Sequence, residues 1–245
     1  MTARTLPLAR PLLGATLPFA LPIGLSAFLL FSVQPLIGRL VLPVFGGTPA
    51  VWATMLFFFQ TVLLVGYLYG HLSVTRLGSL GPPLHIALAG LALAALVIAP
   101  TDVGLLRDEG IPPVVDLIRI LLVIIGLPAL VLTTTTPLVS GWFEVAKAEH
   151  AGGDPYWLYA LSNGGSLLAL LAYPLIIEPR LGLADQRTAW SVGYAVLVVL
   201  LAVAMTRVFG ILRAARVAAG AAIDIDAVPL SAPADASAAI DWARR

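Results

Sequence analysis

The sequence predicts an all-α fold, a polytopic transmembrane helical bundle with six spans. Of the 245 residues, 60% are hydrophobic and only 11% are charged, and the mean hydropathy is +0.98. Soluble domains carry about 25% charged residues, so a water-soluble core of this size would leave much apolar surface uncovered. Helices are expected rather than strands, because an open strand edge cannot face lipid and the apolar runs lack the alternation of a barrel.

Six apolar runs carry this prediction, and prolines, glycines or charged residues separate them. A helix needs about 20 apolar residues to cross the hydrocarbon of a bilayer. The first run is too long for the apolar part of a signal peptide, which has about 7–15 residues, so we expect it to remain as a span. The predicted spans are 17–38, 50–70, 84–99, 114–132, 156–177 and 189–209.

The basic residues predict a multi-pass protein of the inner (plasma) membrane with both termini cytoplasmic. In this orientation the inner segments hold more Lys and Arg than the outer ones, as the positive-inside rule requires. The arginines from Arg207 to Arg216, at the end of the last span, strengthen the bias. The expected domains are a cytoplasmic N-terminus over 1–16, the six-span domain over 17–209, and a flexible cytoplasmic tail or linker over 210–245 that is rich in Ala, Asp, Ser and Pro.

Several classes of function are disfavoured by residues that the sequence lacks. There is no cysteine, so no disulfide, thiolate nucleophile or cysteine-ligated metal exists, and the three histidines have no metal-ligand spacing. No G-x-G-x-x-G follows a strand and no P-loop is present, while a net charge of +1 argues against a nucleic-acid partner. We therefore expect no catalytic residue, no cofactor and no metal site, and we disfavour an enzyme.

Polar residues inside the apolar runs are the first candidates for function. Lipid offers such groups no partner, so Gln34, Arg39 and Gln60 indicate either function or packing. Arg39 and Glu178 each follow a Pro-Leu-Ile step, and in the predicted topology both fall at the outer end of a span. An ion pair there would lower the cost of both charges. The alternative is that each side chain extends separately to water.

Small residues indicate two further contacts between helices. Gly66 and Gly70 form a G-x-x-x-G in the second span, a spacing that lets two helices approach closely. Glycine is abundant in this chain, so a chance match is the alternative. In the fifth span Asn163 lies between Ser162 and Ser166, and there we favour close helix packing with an interhelical hydrogen bond over ligand binding.

Four consecutive threonines, Thr133–Thr136, lie at the inner end of the fourth run. Threonine hydroxyls bond to preceding carbonyls, and Pro128 and Pro137 leave carbonyls without donors. The expected result is a kinked or broken helix whose exposed backbone faces protein or a water-filled cavity. If that cavity binds substrate, the run Thr133–Thr136 is a candidate lining segment, and Thr134 and Thr135 are candidate structural or functional residues within it.

Longer stretches of the chain resemble one protein family. The first stretch, from Ser26 to His71, is SAFLLFSVQPLIGRLVLPVFGGTPAVWATMLFFFQTVLLVGYLYGH, and the second comprises LTTTTPLVSGW at 132–142 and DPYWLYALSNGGSLLALLAYPLIIEP at 154–179. Both are similar to the membrane-embedded part of fused major-facilitator/spermidine synthase proteins. The resemblance implies six spans like half of a major-facilitator fold. Residues 66–78 are similar to the glycine-and-basic loop of that superfamily, without its acidic residue.

The family implies a chemistry for which this sequence has no motif. In longer relatives an aminopropyltransferase-like cytoplasmic domain would bind decarboxylated adenosylmethionine and putrescine, and no counterpart of it is present here. We expect an integral membrane module of a spermidine (polyamine) synthase-like protein, which anchors a synthase domain outside this chain or feeds substrate to it. The alternative is a half-transporter that dimerises to carry a small solute, such as a cation. The expected partners are the lipid bilayer and either a synthase domain or a second copy of the chain.

Overall fold

The computed structural model of this chain describes residues 10–77, 80–147 and 156–221. Every regular element in these residues is helical, which confirms the predicted all-α class. The chain divides into two compact units, Met1–Ile211 and Leu212–Arg245. The first unit contains the bundle, and the described part of the second unit, up to Ala221, is helical.

Eight α-helices, three π-helical turns and one 3₁₀ turn make up the described residues. The α-helices are α1 (Arg10–Phe45), α2 (Pro49–Leu72), α3 (Gly81–Ile98), α4 (Pro113–Leu121), α5 (Leu127–Lys147), α6 (Tyr156–Ala172), α7 (Glu178–Arg180) and α8 (Leu183–Ala221). The π turns are Ser73–Leu77, Leu122–Gly126 and Tyr173–Ile177, and the 3₁₀ turn is Val103–Leu106. Each π turn continues an α-helix without a loop, so α4 and α5 form one long element, as do α6 and α7.

Six of these elements in the described residues are long and apolar enough, by length and composition, to cross a membrane. The chain is therefore a multi-pass membrane protein, and the predicted number of spans agrees with the structure. We number them span 1 to span 6: Thr16–Phe45, Pro49–Leu77, Gly81–Ile98, Pro113–Glu144, Trp157–Arg180 and Leu183–Gly210.

The helices of the first and last spans both extend beyond the residues at which the sequence predicts that they end. Helix α1 continues to Phe45, so Arg39 lies inside a helix rather than after one. The connection to span 2 is short: Gly46 adopts a positive φ of 80°, and Thr48 caps α2 by accepting a hydrogen bond from the Val51 amide. Helix α8 runs on to Ala221, so the first part of the predicted flexible tail is helical. The rest of that tail, 222–245, and residues 1–9 lie outside the described residues.

The sequence predicts a kink or a break at the four threonines, and of these the break is wrong. Helix α5 runs without interruption from Leu127 to Lys147, with Pro137 inside it. The threonine hydroxyls satisfy nearby carbonyls instead of breaking the helix; Thr135, for example, donates to the Val131 carbonyl at 2.8 Å. The irregular stretch is the π turn Leu122–Gly126, which lies where Pro128 removes a backbone donor.

Span 4 is the most central element of the bundle. It packs against spans 1, 2 and 3, and span 1 also packs along span 5. The predicted close contact at Gly66 and Gly70 is confirmed, because both glycines lie directly against span 4, at Thr133, Thr134 and Pro137. Spans 1 and 5 approach just as closely, since a Cβ added to Gly165 would lie 2.5 Å from the Gly24 carbonyl oxygen. Span 6 is held to span 1 by Trp190, whose indole N–H donates to the Leu29 carbonyl at 3.0 Å.

Candidate functional site: a polar groove among four spans

A groove with a volume of about 780 Å³ lies among spans 1, 2, 4 and 5. Apolar side chains form most of its wall, and polar, uncharged side chains project into it from all four spans. The lining residues are Ala27, Leu30, Phe31, Gln34, Phe59, Gln60, Leu63, Tyr67, Leu132, Thr133, Thr136, Pro137, Tyr159, Ser162, Asn163, Ser166, Leu167 and Leu170. Small-molecule sites in proteins have about 300–1,000 Å³ and this same mixture of apolar walls and a few polar groups.

The groove brings together three residues that the sequence identified separately. Gln34 comes from span 1, Gln60 from span 2 and Asn163 from span 5, and all three line the same space. The interhelical hydrogen bond predicted at Asn163 is not formed to any described residue, because the carboxamide faces the groove. The neighbouring prediction of close packing holds, since Gly165 lies against Gly24.

Two tyrosines complete the set of polar lining groups. An aromatic residue near a span end is ordinarily an interfacial anchor. From its position near the end of the second predicted span, Tyr67 is expected to be such an anchor. In the structure Tyr67 lines the groove, as does Tyr159. Helical spacing was the available signal: Tyr67 follows Gln60 by seven residues and Asn163 follows Tyr159 by four, and both spacings place two residues on one helix face.

Seven side chains in the groove have unused hydrogen-bonding capacity. Within the described ranges, no hydrogen bond to protein is made by the three carboxamides, by the two tyrosine hydroxyls or by the hydroxyls of Thr136 and Ser162. The other two hydroxyls of the groove are committed, because Ser166 donates to the Ser162 carbonyl at 3.0 Å and Thr133 donates to the Leu130 carbonyl at 2.9 Å. The side chains available to a bound molecule are therefore Gln34, Gln60, Tyr67, Thr136, Tyr159, Ser162 and Asn163.

Of the four threonines for which the sequence allows a lining role, Thr134 and Thr135 do not line the groove. Thr134 is buried and donates to the Gly66 carbonyl at 3.2 Å and to the Leu130 carbonyl at 2.7 Å. Thr135 is also buried and bonds within its own helix. Their neighbours Thr133 and Thr136 are the ones that reach the groove. The run of threonines thus serves both packing and lining: Thr133 and Thr136 reach the groove, whereas Thr134 packs against span 2 and Thr135 is buried.

Arg39 and Glu178 lie within salt-bridge reach, as predicted. The Arg39 Nη1 and Glu178 Oε1 atoms are 3.8 Å apart, and the side chains are 37% and 47% exposed. The Arg39 guanidinium also lies beside the Tyr173 hydroxyl, which donates to Gln186 Oε1 at 2.8 Å. This polar cluster joins spans 1, 5 and 6. Whether the ion pair stabilises the bundle stays a prediction.

A second charged cluster, at Asp116, was missed by the sequence reasoning. The side chain of Asp116 is fully buried and accepts hydrogen bonds from Arg119 Nε at 3.1 Å and from the Asp108 amide at 3.1 Å. Arg107 Nε lies 3.7 Å from the same carboxylate, and the Arg107 guanidinium stacks over the Phe45 ring at 4.4 Å. The cluster ties the connection between spans 3 and 4 to the end of span 1.

His85 is a second buried polar group that the sequence did not single out. Its side chain is fully buried in span 3, and neither ring nitrogen has a hydrogen-bond partner among the described residues. The imidazole stacks on the Tyr69 ring at a centroid distance of 5.9 Å and meets the edge of Trp142 at 6.3 Å. This environment is aromatic rather than ligating.

Neither the described residues nor the comparisons with known proteins identify a reaction. The described part of the chain contains no group of three or more His, Cys, Asp or Glu side chains that could hold a metal ion. No protein-family model, no curated protein and no solved structure matches the chain. The groove itself is therefore the strongest functional feature: it can accept hydrogen bonds from a bound molecule and donate hydrogen bonds to it.

Proposed function

We propose that the chain is a membrane module that holds a small polar solute in the groove among spans 1, 2, 4 and 5. In the terms of the family that the sequence resembles, it feeds this solute to a spermidine synthase-like domain outside the chain. The protein would lie in the inner (plasma) membrane with both termini cytoplasmic. One observation supports the proposal above the others: three carboxamides and two phenols from three spans converge on one space.

Energetics favour a role in solute handling over a role as a plain anchor. A polar group in hydrocarbon that lacks a partner costs several kcal/mol, and a bundle that served only as an anchor would gain from apolar residues at Gln34, Gln60 and Asn163. Intramembrane polar residues usually face a bundle interior or a water-filled cavity and mark substrate pathways. The groove satisfies this description with uncharged groups.

A half-transporter is the second candidate, and the shape of the groove favours it. Only four of the six spans line the groove, and Gln60 and Asn163 are exposed rather than enclosed. A second copy of the chain would cover such a face and make a closed pathway of twelve spans. Crosslinking in native membranes separates the two candidates, because the half-transporter requires a homodimer and the feeding module requires a synthase partner.

The natural absence of cysteine allows a direct test of the groove. Leu63 lines the groove, whereas the next residue, Leu64, is exposed on span 2 outside it. We expect a membrane-impermeant, charged maleimide to label Leu63→Cys in proteoliposomes much faster than Leu64→Cys, because only the groove admits water. Equal, slow labelling of the two variants would mean that the groove is filled by lipid and would refute the proposal.

A further inference from the structure

We propose that the solute held in the groove is uncharged and carries several hydroxyl or amide groups, so that the groove selects against polyamine cations. The inference rests on the proposed function, since it names the class of solute that this site takes. It departs from the cationic diamine that the family resemblance implies, so the synthase-like domain of the proposed function would here act on an uncharged substrate. Three properties of the lining determine which solute fits: its hydrogen-bonding groups, its charge and its aromatic walls.

The hydrogen-bonding groups of the groove both donate and accept. A carboxamide has two N–H donors and a carbonyl acceptor, and a phenol has one donor and two lone pairs. Because Gln34, Gln60, Asn163, Tyr67 and Tyr159 are uncommitted within the described residues, a fitting solute must both offer donors and accept hydrogen bonds. Hydroxyl and amide groups do this. A protonated amine has donors only, so it would leave the N–H groups of the carboxamides without acceptors.

The charge of the lining points in the same direction. None of the described residues that line the groove carries a carboxylate or a basic group. The seven acids of the described residues all lie outside this lining, and they are Asp102, Asp108, Glu109, Asp116, Glu144, Glu178 and Asp185. Two of them have arginine partners, since Glu178 lies beside Arg39 and Asp116 is bound by Arg119. Moving an ammonium group out of water without a counter-charge costs several kcal/mol, and a diamine would meet this cost twice.

Aromatic walls do not reverse this preference. Phe31, Phe59, Tyr67 and Tyr159 line the groove, and a cation over an aromatic ring gains about 0.5–2 kcal/mol. That gain is smaller than the cost of removing a charge from water without a counter-ion. The same rings cover the apolar faces of an uncharged solute equally well and without this cost.

Ligand protection of the Leu63→Cys variant tests the solute class. The full chain in proteoliposomes is labelled in the presence of mannitol, maltose or N-acetylglucosamine as uncharged probes, and of putrescine or spermidine at matched ionic strength. We expect saturable slowing of the labelling by at least one uncharged probe and none by the two polyamines. Asn163→Leu in the same background should weaken that protection about tenfold, the effect of one hydrogen bond. Thr61→Val, on a face of span 2 outside the groove, should leave it unchanged.

The outcomes separate this inference from the function on which it rests. Protection by putrescine or spermidine, with none by the uncharged probes, would overturn the inference but keep the groove as a solute site. Rapid labelling of Leu63→Cys that no uncharged probe slows would also overturn it. Failure of Leu63→Cys to label faster than Leu64→Cys would instead refute the proposed function.

Discussion

Replacement of Gly66 by alanine tests the close contact between spans 2 and 4. A Cβ added to Gly66 would lie 2.9 Å from the Thr133 Cβ and 3.2 Å from the Thr134 Oγ1, and closer still to the Thr133 Oγ1. Ordinary contacts begin at 3.4 Å, so spans 2 and 4 must separate or Thr133 must change its rotamer. Gly90 is the matched control, because it also lies within a span, on α3, and a Cβ there would have no neighbour within 4 Å.

The size of the effect follows from three terms. An extra methyl group forced into a packed contact costs about 1–3 kcal/mol. Separation of the spans also weakens the hydrogen bonds from Thr133 to the Val62 carbonyl and from Thr134 to the Gly66 carbonyl, each worth about 0.6 kcal/mol in a membrane. Alanine is a better helix former than glycine by up to about 1 kcal/mol. We expect Gly66→Ala to destabilise the bundle by about 1–3 kcal/mol and Gly90→Ala to be neutral or stabilising.

Unfolding of each variant by titration with dodecyl sulfate in mixed micelles measures the free energy difference. A double variant, Gly66→Ala with Thr133→Ala, should recover part of the lost stability, because it removes the nearest atom of span 4. If Gly66→Ala stabilised the protein as much as Gly90→Ala did, spans 2 and 4 would not be in contact at Gly66, and the expected destabilisation would be refuted.

Four further predictions concern the charged and buried polar groups and the topology. Arg39→Ala and Glu178→Ala should each lower the unfolding free energy by about 1 kcal/mol or less, because the pair is partly exposed, and the double variant should cost less than their sum; strict additivity would reject the pair. Asp116→Asn should destabilise the bundle by about 1.5–3 kcal/mol, since charged hydrogen bonds are lost and Arg119 keeps its charge; an unchanged melting temperature in detergent would contradict this. His85→Leu should leave the melting temperature unchanged or raise it, because a buried polar group without a partner is removed; a large decrease would show that the imidazole has a binding role. Reporter fusions after Arg216 should be active in the cytoplasm, and a periplasmic signal there would reject the proposed orientation.

The number and class of the spans were predictable because the signal is local. An apolar run of sufficient length specifies a helix in a bilayer wherever its neighbours lie. The ends were harder to predict: prolines at 35 and 43 suggested that span 1 stops near Gly38, but the residues between Leu40 and Phe45 are apolar enough to continue the helix. Inside a membrane, a proline does not end a helix as it does in water, because neighbouring groups satisfy the freed carbonyl.

The sequence identified the polar residues of the groove individually, but it did not predict that they line one space. Gln34, Gln60 and Asn163 stand out individually because each is a polar residue in an apolar run. Their convergence depends on how spans 1, 2 and 5 pack around span 4, and nothing local encodes that arrangement. The same reason explains why the sequence did not distinguish Thr134 and Thr135 from Thr133 and Thr136, since composition cannot tell which of four consecutive residues faces a groove.

Asp116 is a residue that the sequence did not indicate even individually. An acidic residue at the edge of a span is expected to be hydrated, and acids contribute little to topology. Its burial depends on Arg107 from the connection between spans and on Arg119 one turn along its own helix. Two arginines close to one aspartate were the available signal.

The π turn at Leu122–Gly126 has a consequence for how this chain tolerates insertions and deletions. One residue rotates an α-helix by about 100° and lengthens it by about 1.5 Å, and a π turn contains one residue more than regular α geometry needs. The extra residue therefore sets the rotational phase between the Asp116 half of span 4 and the half that presents Thr133 and Thr134 to Gly66. Deleting Val123 would restore regular geometry locally, yet it would rotate the two halves against each other, so that Asp116 and Thr133 could not both meet their partners.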